Sequence, residues 1–166
     1  MFISFFFATL LFFMVLALFL GAPLVPSKKV TSEAMIRLLN IKHGEIIYDL
    51  GSGDGRLLTL IAQKGATAVG IEINPYAILI GWVRALVTGN IFNIKIIWGN
   101  YWWVNIAKAD KVIVYGLPHI MPKLVKKFKA ELRPKTKIIS NSFQIPGLIK
   151  IKEEKVGKDW IYLYQV

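Results

Sequence analysis

A chain of 166 residues has room for one domain and little more. It contains no cysteine, which excludes disulfides, thiolate metal centres and a cysteine nucleophile. A net charge of +11 and a hydrophobic content of 55% are segregated along it: all 21 Lys and Arg and all 10 Asp and Glu lie from Lys28 onward.

Met1–Leu20 carries no charge, and Ser4 and Thr9 are its only polar side chains. Twenty helical residues at about 1.5 Å each span roughly 30 Å, the thickness of a bilayer's hydrocarbon core. A cleaved signal peptide requires a basic stretch before its apolar core and a pair of small residues at the cut. Here nothing basic precedes Lys28, and Pro23 follows the small pair Gly21-Ala22. Residues 1–22 therefore read as a retained transmembrane anchor; a signal peptide and a helix buried within the protein are the alternatives. Lys28 and Lys29 just past the span, with no basic residue before it, place the remainder in the cytoplasm. Residues 23–44 are a linker, broken by Pro23 and Pro26, and an N-terminal helix. Thr31-Ser32-Glu33 reads as its N-cap region and Ala34–Leu39 as its body. Lys42-His43-Gly44 is a turn, and its histidine reads as solvated.

Residues 45–166 form the domain, which is organised around its opening segment. Ile46-Ile47-Tyr48-Asp49-Leu50 is a short β-branched run and reads as a buried strand. Gly51, Gly53 and Gly55 follow at alternate positions, then a helix from about Arg56 to Lys64, then a second strand over Ala68–Ile73. Glycines let a backbone approach a ligand and take positive φ. Glu72 comes 21 residues after Gly51, the spacing at which an acid meets ribose hydroxyls in such folds. The dinucleotide fingerprint G-x-G-x-x-G is not met, because Arg56 stands at its sixth position. Asp49 and Asp54 frame the turn, and fixed carboxylates repel a pyrophosphate but suit a cation. S-adenosyl-L-methionine, with a sulfonium, an α-amino group and a ribose but no phosphate, fits this frame. A dinucleotide, or a degenerate unit without ligand, is the remaining reading.

Asn74-Pro75-Tyr76 opens a helix to about Thr88, with proline suited to its first turn; Ile73 and Asn74 lie beside the expected ribose contact. Ile94–Gly99 is a third strand, followed by Asn100-Tyr101-Trp102-Trp103. The Asn100 carbonyl oxygen can accept a hydrogen bond from an adenine amine, and the rings either stack on adenine, wall a channel or pack a short helix. Lys111–Tyr115 is a fourth strand running into Gly116-Leu117-Pro118-His119. Tyr115 and His119 are the candidate catalytic residues, His119 as a base near neutral pH or as a simple helix cap.

Met121–Leu132 is a lysine-rich helix, Ile138–Ser142 a fifth strand and Phe143–Pro146 a loop at the crevice edge. Leu148–Val156 and Trp160–Gln165 are two strands joined around Gly157-Lys158-Asp159. No metal-ligand spacing and no nucleic-acid motif is present, so the positive charge points to anionic lipid headgroups rather than to nucleic acid.

Asp49-Leu50-Gly51-Ser52-Gly53-Asp54-Gly55-Arg56 resembles motif I of class I S-adenosylmethionine-dependent methyltransferases. Several further stretches narrow the resemblance: Val25-Pro26-Ser27 after the span, Glu72-Ile73-Asn74-Pro75, Trp102, and Tyr115-Gly116-Leu117-Pro118-His119-Ile120-Met121. Together they are similar to the small membrane-anchored protein-lysine methyltransferases that act on the ATP synthase c subunit and the adenine nucleotide translocase. The resemblance runs from Val25 to about Gly147. Asn100 departs from it by replacing an acid, and His119 by replacing a glutamine.

The resemblance implies an α/β fold with a Rossmann-like seven-stranded sheet, mostly parallel with one antiparallel strand, behind a single transmembrane helix. It implies S-adenosyl-L-methionine held by Asp49, Gly51, Ser52, Gly53, Asp54, Gly55, Glu72, Ile73, Asn74, Asn100 and Tyr101. Trp102, Tyr115, Pro118 and Phe143 would form the substrate mouth, and no metal is needed. A protein lysine is the leading acceptor; a lipid or lipophilic small molecule, or a non-catalytic cofactor-binding role, is the alternative.

Overall fold

The structure is a computed structural model that describes residues 6–9, 11, 12, 15 and 29–166. Most of the expected anchor over residues 1–22 lies outside the described residues. Among these residues no helix is long and apolar enough to cross a membrane.

Seven strands form one sheet in the order β3-β2-β1-β4-β5-β7-β6. These are β1 (Ile46–Leu50), β2 (Thr67–Glu72), β3 (Ile94–Trp98), β4 (Lys111–Val114), β5 (Lys137–Asn141), β6 (Ile149–Val156) and β7 (Asp159–Gln165). The first five are mutually parallel, and β7 runs antiparallel between β5 and β6. The seven strands and the single antiparallel one are those the sequence implied. After β1 the chain moves outward through β2 and β3, then returns to β4 on the other side of β1. That reversal makes a switch point between β1 and β4, where a crevice opens beyond the carboxyl ends of the strands.

Helices cover both faces. On one lie α1 (Lys29–Leu39), α2 (Arg56–Ala62) and α3 (Pro75–Val87), closing a core that includes Met35, Leu39, Leu58, Ile61, Ile47 and Ile113. On the other, α4 (Met121–Glu131) and the loop after β3 enclose Leu50, Ile71, Val114, Leu124 and Phe128. Because the central strands are buried on both faces, they read as continuous apolar runs. Polar residues are nonetheless buried there, Asp49 and Glu72 toward the carboxyl ends of β1 and β2 and Lys111 and Ser140 on β4 and β5.

Local chemistry explains two element ends. Asn74 caps α3 by accepting from the Tyr76 N–H at 3.0 Å, and Pro75 occupies its first position. Gly65, at φ 74°, ends the turn after α2, and its missing Cβ leaves room for the His43 ring. The expected N-cap at Thr31-Ser32-Glu33 is corrected. The chain is already helical at Lys29, and Thr31 and Ser32 are turned into the core. Thr31 Oγ1 donates to Asp159 Oδ2 at 2.9 Å, so its hydroxyl ties α1 to the C-terminal hairpin instead of capping. Nor are all lysines solvated. Lys127 is buried, its Nζ 2.6 Å from Glu131 and donating to the Val104 carbonyl at 2.8 Å, which fastens the loop after β3 onto α4.

Candidate active site

The turn between β1 and α2 is built by glycine. Gly51, Gly53 and Gly55 have φ of 84°, 53° and 73°, values that side chains resist. The Gly51 and Ser52 N–H groups donate to the Ile71 carbonyl at 2.9 and 3.2 Å, pinning the turn over β2. Close approach is required there too: a Cβ on Gly70 would stand 2.5 Å from Ser52 Oγ and 2.6 Å from Leu58 Cδ1.

Three carboxylates converge beneath this turn, and their environments differ. Glu72 is held by backbone donors: Gly53 N to Oε2, and Ile73 N and Asn74 N to Oε1, each at 2.8 Å. Asp54 is met by guanidinium groups, Arg84 Nη2 at 2.7 Å and Arg56 Nη2 at 3.5 Å, and also accepts from the Arg56 N–H. Its charge is therefore compensated within the fold, and it steadies α3 against the turn. Asp49 has neither kind of partner. It is 4% exposed and accepts no hydrogen bond from any described residue. Burial first, then the charges of Glu72 and Asp54, push its pKa up to about 7. Ser52 Oγ, like Ser32 Oγ on α1, is a buried polar atom without a partner among the described residues. An unpaired acid at the carboxyl end of β1, between a glycine turn and a second acid, is stabilised by a ligand bearing positive charge. These residues fit an adenosyl cation and do not fit a pyrophosphate.

The other sequence-predicted residues collect around the ends of β3, β4 and β5. Asn100 Oδ1 accepts from the Trp102 N–H at 3.0 Å, so one of its lone pairs shapes the turn that presents Trp102. Tyr101 is buried in the core on the α4 side, its ring 4.9 Å from that of Trp102, and burial drives its phenol pKa well above the ordinary value. Trp102 is half-buried, with Lys123 Nζ 4.3 Å above its ring, while Trp103 is exposed. Tyr115 and Phe143 stack, centroids 6.1 Å apart at 24°, which joins the tips of β4 and β5. The Phe143 side is fixed by Ser142 at φ 65° and by Ser140 Oγ donating to the Phe143 carbonyl. Pro118 and His119 are exposed on a 3-10 turn, Pro118–Ile120, that leads into α4.

Two contributors were not singled out from sequence. Arg84 is the one charged residue in the sequence of α3, and a lone charge in an apolar helix is a signal that it has a partner. Lys123 left no such signal, being one of several lysines on α4.

The ANTKMT methyltransferase domain model matches residues 49–152, from the acid of β1 into β6. The chain belongs to this family. A curated relative from Mus musculus, named as a lysine N-methyltransferase of the ATP synthase c subunit, is 31% identical over 144 residues, 87% of this chain. The chain spans 58% of that relative's length. A Saccharolobus islandicus protein named protein-lysine N-methyltransferase is 30% identical over 151 residues, covering 87% of this chain and 93% of its own length. Among solved structures, an RNA methyltransferase from Salinibacter ruber in complex with S-adenosyl-L-homocysteine superposes with a TM-score of 0.82. It is 28% identical over 86% of this chain and 94% of that one. Family and fold are thus those of S-adenosylmethionine-dependent class I methyltransferases.

Proposed function

We propose that this chain is an S-adenosylmethionine-dependent protein-lysine N-methyltransferase, anchored by residues 1–22 to a membrane whose cytoplasmic side faces residues 45–166. The observation that carries the cofactor reading is Asp49, a buried acid that no described residue pairs or hydrogen-bonds. Asp49 and the Gly51–Gly55 turn, with Ser52, hold the amino-acid end. Glu72 retains lone pairs for a ribose, flanked by Ile73 and Asn74, and Asn100 lies beside the adenine.

When bound, the cofactor supplies an electrophilic methyl group on a sulfonium. The protein then has to align a neutral amine with it and exclude water. Trp102, Tyr115, Pro118 and Phe143 form an apolar mouth in which desolvation lowers an amine's pKa. Their ring faces accommodate the methylated cation that results. The lysine ammonium would first lose one proton to give the neutral amine, along a path bordered by Tyr115 and His119. Transfer would then form one N–C bond and break one S–C bond, leaving the charge on the methylated amine. Lysine as acceptor follows the names of the mouse and archaeal relatives, both of which specify it.

The test is to incubate native membranes with the full chain and radiolabelled S-adenosylmethionine, then separate protein from lipid. Label in a protein band, released on hydrolysis as methyllysine, supports the proposal. Label in the organic phase would replace the lysine acceptor with a lipid, and no label would remove the activity.

A further inference from the structure

Apart from Tyr76 and Arg84 the helix α3 is apolar all round, which is unusual for a helix at the edge of a small sheet. Its inner face is made of small residues, Gly81 and Ala85, and only these are buried. A Cβ on Gly81 would stand 2.8 Å from Ile96 Cδ1, so the helix lies close against β3. The opposite stripe, Leu79, Val83, Leu86 and Val87 at helical spacing, faces outward uncovered, with Leu86 65% and Val87 79% exposed. Beyond the helix end Phe92 is 95% exposed, and Trp98 closes the same edge at 69% while its indole N–H donates to the Ile73 carbonyl. The single charge of the helix, Arg84, is turned aside to Asp54. A cluster of exposed large apolar side chains on one helix and its sheet edge marks a place where something other than water is met.

We propose that this face, α3 with Phe92 and Trp98, is a bilayer-contacting surface that lies in the lipid interface and fixes the orientation of the domain. Continuity with the N-terminal segment selects lipid as the occupant. Phe6 meets the Tyr76 ring edge-on at 5.1 Å, and Thr9 shares a 2.8 Å hydrogen bond with the Tyr76 hydroxyl, at the first turn of α3. That segment comes from the charge-free stretch Met1–Leu20, and its own Phe7, Leu11 and Phe12 are exposed. Among the described residues the α3 stripe is exposed, and this segment adds a second apolar surface beside it. Two such surfaces joined at Tyr76, on a chain of net charge +11, are what an anionic membrane interface would cover. Tryptophan at the rim suits the headgroup boundary. Tyr76 itself lies beside the tip of β2, at the cofactor end of the sheet. Which acceptor is methylated makes no difference to this surface.

The natural chain has no cysteine, so single nitroxide labels can be placed directly. Leu79→Cys, Leu86→Cys and Phe92→Cys are labelled in the full chain, alongside Lys129→Cys and Lys158→Cys as references. All are reconstituted into vesicles of phosphatidylcholine and phosphatidylglycerol, with circular dichroism confirming the fold. The proposal expects labels at 79, 86 and 92 to collide with oxygen more than with a water-soluble nickel chelate, and the references to show the opposite ratio. Polar accessibility at 79, 86 and 92 equal to that at 158 overturns it. So does label–label broadening that disappears on dilution with unlabelled chain, which would make the face a contact between copies. Each of the three positions reports separately, so one that fails to fold leaves two.

Discussion

Replacing Asp49 by asparagine should make the unliganded protein more stable and bind its cofactor more weakly. With its pKa raised from 3.8 to about 7, the buried carboxyl holds its proton in the folded chain while the unfolded chain ionises. Below about pH 4 both states are protonated and the group favours neither. As pH rises toward 7 the unfolded state gains increasingly, and above 7 the disadvantage is constant. A shift of this size corresponds to up to about 4 kcal/mol. Asp49→Asn removes the ionisation while keeping shape, so urea midpoints of variant and parent in detergent should agree near pH 4. They should separate up to pH 7, with the variant ahead, and then run parallel. Calorimetric titration with S-adenosylhomocysteine should meanwhile show binding weakened by about 1.5–3 kcal/mol, the scale of a charged hydrogen bond. A variant less stable than the parent at pH 8, or one with unchanged affinity, would refute the assignment of Asp49 as a ligand group held in reserve.

For the parent chain, a cationic ligand favours ionised Asp49, so affinity should fall by up to about tenfold for each pH unit below 7. Titrations in two buffers of different ionisation enthalpy should reveal proton release near pH 6, and a flat profile would place the carboxyl away from the ligand. Glu72→Ala strands three backbone donors and should weaken S-adenosylhomocysteine binding by roughly 1–3 kcal/mol; equal calorimetric affinities would take Glu72 out of the site. Gly70→Ala drives a methyl into Ser52 and Leu58 and should cost about 1–3 kcal/mol in urea unfolding, whereas an unchanged midpoint would mean the turn has slack. Phe143→Ala removes the ring stacked on Tyr115, an interaction of about 0.5–1.5 kcal/mol. Methyl transfer should slow with cofactor affinity preserved, and an undiminished rate would move the mouth elsewhere.

The strand–turn–helix–strand unit was legible because each of its parts has a local cause. Gly51, Gly53 and Gly55 take the positive φ that only glycine takes cheaply, and Asn74-Pro75 begins a helix by chemistry confined to three residues. Glu72 was legible from spacing alone, since a βαβ unit brings its second strand's tip beside the first turn. What sequence left open depended on distant partners. Asp49 and Asp54 look alike in the motif, yet Arg84, 30 residues on, compensates one and not the other. Thr31 resembles a cap residue but is claimed by Asp159 from the far end of the chain. Tyr101 and Trp102 are adjacent rings of similar character, and only tertiary packing buries the first and half-exposes the second. The stripe on α3 was hidden for a different reason: in sequence an apolar helix is an ordinary core element, and only the sheet's edge leaves its far side uncovered.

Methyl transfer by this chain requires that the crevice beyond β1 accept an adenosyl cation. Equilibrium dialysis of the purified full chain in detergent, against radiolabelled S-adenosylmethionine and against radiolabelled NAD, addresses this with one preparation. Retention of S-adenosylmethionine, lost in Asp49→Asn, with no retention of NAD is the predicted result. Retention of NAD in its place would contradict it.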